Sequence, residues 1–178
     1  QLLDKLRPCE NAWKPRKEVK VVLLSLPSPW LISDRDMPNL GVLYVAAYLR
    51  ENGINVQVQD LCGIPQQHWY VPEGDIYGIS CTTPQYPLAK GLVGRLKERQ
   101  PGAYIVLGGY HPSALPDFTL ADSGCDSVVV GDGEYAMFDI TRGLRTTKVE
   151  GQRVDKLDTL PWPARDMIDI RAYHPMGT

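Results

Sequence analysis

The sequence predicts a doubly wound α/β domain, with five parallel strands in the order 2-1-3-4-5 and helices on both faces. Three observations predict it. Short apolar runs rich in β-branched residues recur five times between residues 19 and 131. Segments with apolar residues at helical spacing separate all but one pair of these runs, and the alternation stops after residue 145. Strands joined through helices need right-handed crossovers, which produce a parallel sheet covered on both sides.

The first strand is VKVVLLSL (19–26), near-continuously apolar, as expected of a strand buried on both faces. Residues 39–52 place Val42, Val45, Ala46 and Leu49 on one helical face, and Asn52-Gly53 supplies a stop. INVQVQDL (54–61) alternates like a strand with one less-covered face, and DIYGISC (75–81) is the third strand. Residues 84–100 form an amphipathic helix with Leu88, Leu92 and Leu96 on one face, ended by Pro101-Gly102. AYIVLGG (103–109) is strand four, 113–123 a short helix, and DSVVVG (126–131) strand five. Residues 134–144 are a helix with Met137, Ile140 and Leu144 inward. TTKVEGQRVDKL reads as one small hairpin and the proline-broken remainder as a linker. The expected division is a 1–18 extension, a 19–145 domain, and a 146–178 hairpin and linker.

Composition narrows the function. A net charge of −2 offers no basic field for nucleic acid or anionic lipid. No apolar run approaches the ~18 residues of a membrane span, and the first residues lack a signal-peptide core, so a cytoplasmic setting is expected. Cys9, Cys62, Cys81 and Cys125 are scattered, with no C-x-x-C pair, so neither zinc nor an iron–sulfur cluster is expected on them. Reduced, mostly buried thiols are the expectation.

In this fold the ligand crevice lies outside the C-terminal strand ends, near strands one and three. Five connections converge there: 27–40, 61–74, 81–85, 108–112 and 131–134. They carry small hydroxyl residues (Ser80, Thr82, Thr83) and glycine pairs (Gly108-Gly109, Gly131 and Gly133). Glycine lets a ligand approach backbone N–H groups closely, and hydroxyls satisfy polar groups of a ligand being buried. The nicotinamide fingerprint and the P-loop are absent, and the acidic cluster of a phosphate receiver is missing.

NLGVLYVAAYLRENGINVQVQDL, DIYGISCTTP, VLGGYHPSALPD, VVVGDGE and LDTLPWPARDMID, in this order, resemble the N-terminal cobalamin-binding domain of cobalamin-dependent radical S-adenosylmethionine enzymes. The resemblance covers about residues 19–170 and implies a flavodoxin-like, Rossmann-like fold. Relatives among mutases carry D-x-H-x-x-G in the loop after strand one, where the His is the lower cobalt ligand. Aligning that glycine on Gly41 puts Asp36 at the Asp position and Pro38 at the ligand position. A shift to Asp34 would put Asp36 there instead, still without an imidazole. The resemblance therefore implies cobalamin held base-off and His-off.

By the same resemblance the cofactor-binding residues are Leu26, Pro27, Ser28, Pro38, Asn39 and Gly41 from the strand-one loop, and Ser80, Thr82 and Thr83 after strand three. Gly108, Gly109, Tyr110 and His111 follow strand four, and Gly131, Asp132, Gly133 and Glu134 follow strand five. His111 is expected to support the cofactor tail rather than ligate cobalt. Glu134 reads equally as a helix-start charge, favoured at the positive helix end, or a ribose contact. Asp132 is similarly ambiguous. Trp30 is expected beside the cofactor if its loop folds inward, the Trp162 stretch against a following domain, and Cys81 as small buried packing.

No C-x-x-x-C-x-x-C occurs, so the [4Fe-4S] cluster and S-adenosylmethionine of the radical chemistry belong to an absent radical domain, in cis or in trans. The chain is expected to be a cobalamin-binding module of a radical methyltransferase, with no catalysis of its own. A degenerate domain of the same fold with a docking or structural role, and an unrelated flavodoxin-like carrier, are the alternatives.

Overall fold

The computed structural model describes residues 18–28 and 30–173. The extension with Cys9 lies outside the described residues, apart from Glu18, as does His174. Six strands form one parallel sheet in the order β2-β1-β3-β4-β5-β6: β1 (Lys20–Ser25), β2 (Asn55–Asp60), β3 (Ile76–Ser80), β4 (Tyr104–Gly108), β5 (Ser127–Val130) and β6 (Lys148–Glu150). The five expected strands take the expected order.

The sixth replaces the expected hairpin. Residues 148–150 lie parallel to β5 and do not fold back on themselves. The open edge of β5 explains it: Val128 N donates to Thr147 O (2.9 Å) and Gly151 N to Val130 O (2.7 Å). Edge groups that would otherwise lack partners are satisfied, and Val149 reaches the core.

Alternation along the strands feeds two cores. Val22, Leu24, Tyr77, Ile79, Ile105 and Leu107 face α2 (Tyr86–Arg99), through Ala89, Leu92, Val93 and Leu96. Val21, Leu23, Ile76, Val106 and Val129 face α1 (Leu40–Glu51) and α5 (Glu134–Thr141), through Leu43, Ala46, Leu49, Met137 and Ile140. The expected short helix at 113–123 is two, α3 (Tyr110–Ala114) and α4 (Pro116–Ser123), because Pro116 lacks the N–H a continuous helix needs and pushes Leu115 out of helical geometry. α5 ends earlier than expected. Leu144 N turns back to Asp139 O at 3.0 Å, leaving Leu144 36% exposed rather than inward.

The expected linker is docked on its own domain. Ala164 is fully buried with its N–H on Leu43 O (3.1 Å), Met167 and Ile168 pack on the α1/α5 core, and Tyr173 Oη donates to Asp60 Oδ2 (2.7 Å). Leu157 (72% exposed), Trp162 (85%) and Ile170 (42%) turn outward. Among the described residues no helix is long and apolar enough to cross a membrane.

Candidate functional site

The register aligns the strand ends. Ser25 lies opposite Asp60 on one side and Ser80 on the other, and Ser80 lies opposite Gly108. The C-terminal ends of β2, β1, β3 and β4 are thus flush, and their connections rise from one edge.

After β1, the loop is fastened to the β2–β3 connection. Asp34 Oδ2 accepts from Gly63 N (2.9 Å) and Arg35 Nε donates to Cys62 O (3.0 Å). Asn39 is the N-cap of α1, its Oδ1 accepting from Val42 N (3.2 Å), which explains why an amide side chain precedes the helix. Pro38, directly before this cap, has no side-chain donor or acceptor to offer. Asp36 Oδ1 is buried and has no hydrogen-bond partner.

After β3, Thr82 and Gln85 form a capping box around a single 3-10 turn. Gln85 Oε1 accepts from Thr82 N (2.9 Å) and Thr82 Oγ1 (3.0 Å). Its Nε2 donates to Leu26 O (2.8 Å), with longer contacts to Pro27 O and Ser28 Oγ at 3.4 Å. One buried amide therefore joins the β1 and β3 loops, and it places Leu26, Pro27, Ser28 and Thr82 around itself.

After β4, Gly109 adopts φ +93°, and a Cβ there would lie 2.9 Å from both Cys81 O and Ser80 Oγ. Only glycine lets the two loops pass this closely. Gly108, in contrast, has only Val129 Cβ near, at 3.8 Å. His111 is 3% exposed, stacked on Tyr86 (centroids 4.1 Å, 23°), with Nδ1 3.2 Å from Thr83 Oγ1 and Nε2 without a partner. Burial holds its pKa below the ordinary histidine value, which keeps the ring neutral at pH 7. Tyr110 is 82% exposed at the rim.

After β5, Gly131 N donates to Ser113 Oγ (3.0 Å), linking this loop to α3. Gly133 sits against α1, where a Cβ would meet Val45 Cγ2 at 3.0 Å. Asp132 faces the exit segment, its Oδ2 accepting from Val154 N (3.1 Å). Glu134 opens α5 and is buried, and burial raises its carboxyl pKa. Gly41 is exposed within the first turn of α1.

The edge thus gathers the strand-one loop, Ser80, Thr82, Thr83, Gly108, Gly109 and His111, while Asp132 turns away and Trp30 stands 79% exposed. Sequence reading missed Gln85, Ser113 and Arg35. For Gln85 a signal existed, since T-x-x-Q is the spacing of a capping box. Cys81 is buried packing, as expected, with burial lifting its thiol pKa to about 12. Among the described residues no group of three or more His, Cys, Asp or Glu side chains could hold a metal ion. A concavity of about 370 Å³ lies far from these loops, at the N-terminal strand edge among Val19, Asp75, Lys97, Tyr104 and Asp126. Its Lys97 and Asp126 are paired at 2.6 Å.

Residues 33–140 match the family model described as the B12 binding domain. The chain belongs to the B12-binding domain family. The match begins within the strand-one loop and ends within α5, so it takes in the later part of that loop and the whole of the connections after β3, β4 and β5. This B12-binding domain is 24% identical over 169 residues to an uncharacterized methyltransferase of Pyrococcus horikoshii, covering 79% of this chain and 36% of the relative. It is 26% identical over 172 residues to the anaerobic magnesium-protoporphyrin IX monomethyl ester cyclase of a Synechocystis species, covering 85% of this chain and 34% of the relative. The chain therefore spans about a third of the length of the curated relatives it matches. The crystal structure of the N-terminal domain of a hypothetical protein from Thermotoga maritima superposes with a TM-score of 0.50 at 25% identity, over 66% of this chain and 96% of that one.

The residues present fit cobalamin. A Cβ at Gly108 would meet only Val129 Cβ, at 3.8 Å, and Thr83 is exposed at the edge. Two buried polar atoms of the edge, Asp36 Oδ1 and His111 Nε2, have no hydrogen-bond partner among the described residues.

Proposed function

We propose that this chain holds cobalamin base-off and His-off for a radical S-adenosylmethionine enzyme of the methyltransferase kind. The observation that carries the reading is where imidazoles are and are not. The strand-one loop has Pro38 where mutases have their ligand; of the histidines on the converging connections, His68 is an exposed residue of the β2–β3 connection, and His111 is buried, stacked and engaged with Thr83. With no strong lower donor, low-coordinate cobalt is favoured, and cobalamin bound here would supply a cobalt able to carry a methyl group.

The chain's own residues bind and orient. Gln85 fixes the β1 loop against the β3 loop, Gly109 lets backbone approach backbone, and Thr82, Thr83 and Ser80 present hydroxyls. The radical domain, with its [4Fe-4S] cluster and S-adenosylmethionine, joins in cis or in trans; both curated relatives are about three times the length matched, which supports this. Catalysis is assigned to that assembly and not to this chain alone.

The test is the EPR spectrum of the chain after incubation with hydroxocobalamin, removal of free cofactor and mild reduction. A retained Co(II) signal without nitrogen hyperfine splitting is expected, unchanged by His111→Ala. Nitrogen splitting would overturn the His-off assignment, and no retained cofactor would overturn binding by this chain.

A further inference from the structure

His111 is the most completely buried polar side chain at the edge that lacks a full set of partners. Its Nδ1 has one neighbour, Thr83 Oγ1 at 3.2 Å, and its Nε2 has none. Tyr86 stacks on one face of the ring, and Phe118 meets it edge-on with centroids 6.3 Å apart. The ring cannot turn to seek another partner without breaking that packing.

Two neutral tautomers are available. If Nε2 carried the proton, a buried N–H would be left without an acceptor. If Nδ1 carries it, the N–H is satisfied by Thr83 and only a lone pair is left over. Orphaned buried donors are the rarer and more costly defect. A hydroxyl has a single hydrogen: were His111 to accept it, Thr83 could offer a ligand only a lone pair, whereas with His111 donating that hydrogen stays available.

We infer that His111 is a positioning residue that, as the Nδ1–H tautomer, donates to the oxygen of Thr83 and so leaves the Thr83 hydroxyl hydrogen free to donate toward the ligand edge. Thr83 is exposed there and makes no other side-chain hydrogen bond to the described residues. The inference rests on the reading that cobalamin binds at this edge. It adds that Thr83 selects an acceptor atom of the cofactor's nucleotide tail: a phosphate oxygen, an amide carbonyl or an unprotonated ring nitrogen.

Ring ¹⁵N NMR of the labelled chain, without cofactor, reads the tautomer directly. His68 and His174 are removed by substitution for assignment. A protonated Nδ1 and an unprotonated Nε2 for His111 are expected, and the reverse pattern would overturn the inference whatever the cofactor does. Hydroxocobalamin titration then reads the consequence. Thr83→Val is expected to weaken binding roughly tenfold, the size of one net hydrogen bond. His111→Phe, which keeps an aromatic ring in place, should weaken it by a similar factor. The double variant should be no worse than Thr83→Val alone, since His111 acts only through the Thr83 hydroxyl. His111→Asn, which restores a donor near Nδ1, should recover most of the affinity. Unchanged binding by His111→Phe, or additive losses in the double variant, would overturn the positioning role. Failure of the unmodified chain to bind would sink the cobalamin reading and leave the tautomer result standing.

Discussion

Gln85 Nε2 lies 2.8 Å from the carbonyl oxygen of Leu26, so a side chain at the start of α2 closes a hydrogen bond to the end of β1, 59 residues earlier. The same amide accepts from Thr82 N, and at 7% exposure solvent cannot replace it.

Replacing Gln85 with Leu should leave the Thr82 N–H without a partner and the Leu26 carbonyl with only the weak Cys62 thiol donor at 3.5 Å. Each buried group so orphaned costs about 1–3 kcal/mol, so a loss of roughly 2–4 kcal/mol is expected. Urea unfolding with an unchanged slope would measure it. A loss below about 0.5 kcal/mol would mean that the two loops do not depend on this amide.

The two adjacent glycines after β4 should respond differently. Gly109→Ala forces a side chain into a left-handed conformation and against Cys81, at a cost on the order of 1–3 kcal/mol before the collision is counted. Gly108→Ala meets only Val129 Cβ at 3.8 Å and should change stability by less than about 1 kcal/mol. Thermal unfolding of the two variants side by side tests the difference, and equal losses would refute it.

Glu134 carries a pH signature. Burial raises its carboxyl pKa above the unfolded value, so its contribution to stability is fully present below the ordinary glutamate range and is lost as pH rises through the raised value. Glu134→Gln should therefore be more stable than the parent at pH 7, with the advantage shrinking as the pH is lowered through the carboxylate range. Melting temperatures at pH 7 and pH 4 decide it. A destabilised variant at pH 7 would show that the backbone N–H groups at the start of α5 outweigh the burial.

The buried cysteines should be silent. Burial lifts the thiols of Cys62 and Cys81 to about 12 and raises that of Cys125, leaving little thiolate at neutral pH. With Cys9 replaced by Ser, an aromatic disulfide reagent should react with none of the three in the native state and with all three in denaturant. Prompt native labelling of any of them would contradict the packing described.

Much of the fold was legible because periodicity is a local signal. The 2-1-3-4-5 order followed from buried strands and helical spacers, and Asn39 read correctly as a helix boundary. What local pattern could not show was decided by partners distant in sequence. The segment around Val149 became a sixth strand because β5 offered an open edge, and Ala164 was buried because α1 offered a place for it. At the edge, glycines and hydroxyls announced themselves by type. Gln85 did so only in part: T-x-x-Q marks a capping box, but the bond from its amide to Leu26 O joins residues 59 apart and exists only in the folded chain. Asp132 was ambiguous in sequence, and in the fold Oδ2 of its carboxylate is taken up by Val154 N.

The late-sequence cover over α1 and α5 sets an order of events during synthesis. A nascent chain emerges N-terminus first. Until residues 148–168 have left the ribosome, β5 has an open edge and Leu43 lacks the backbone partner that Ala164 provides. A ribosome paused before this stretch would present chaperones with a nearly finished sheet beside an uncovered apolar helix face. Translation speed while residues 148–168 are emerging therefore bears on whether the domain matures or is captured by quality control.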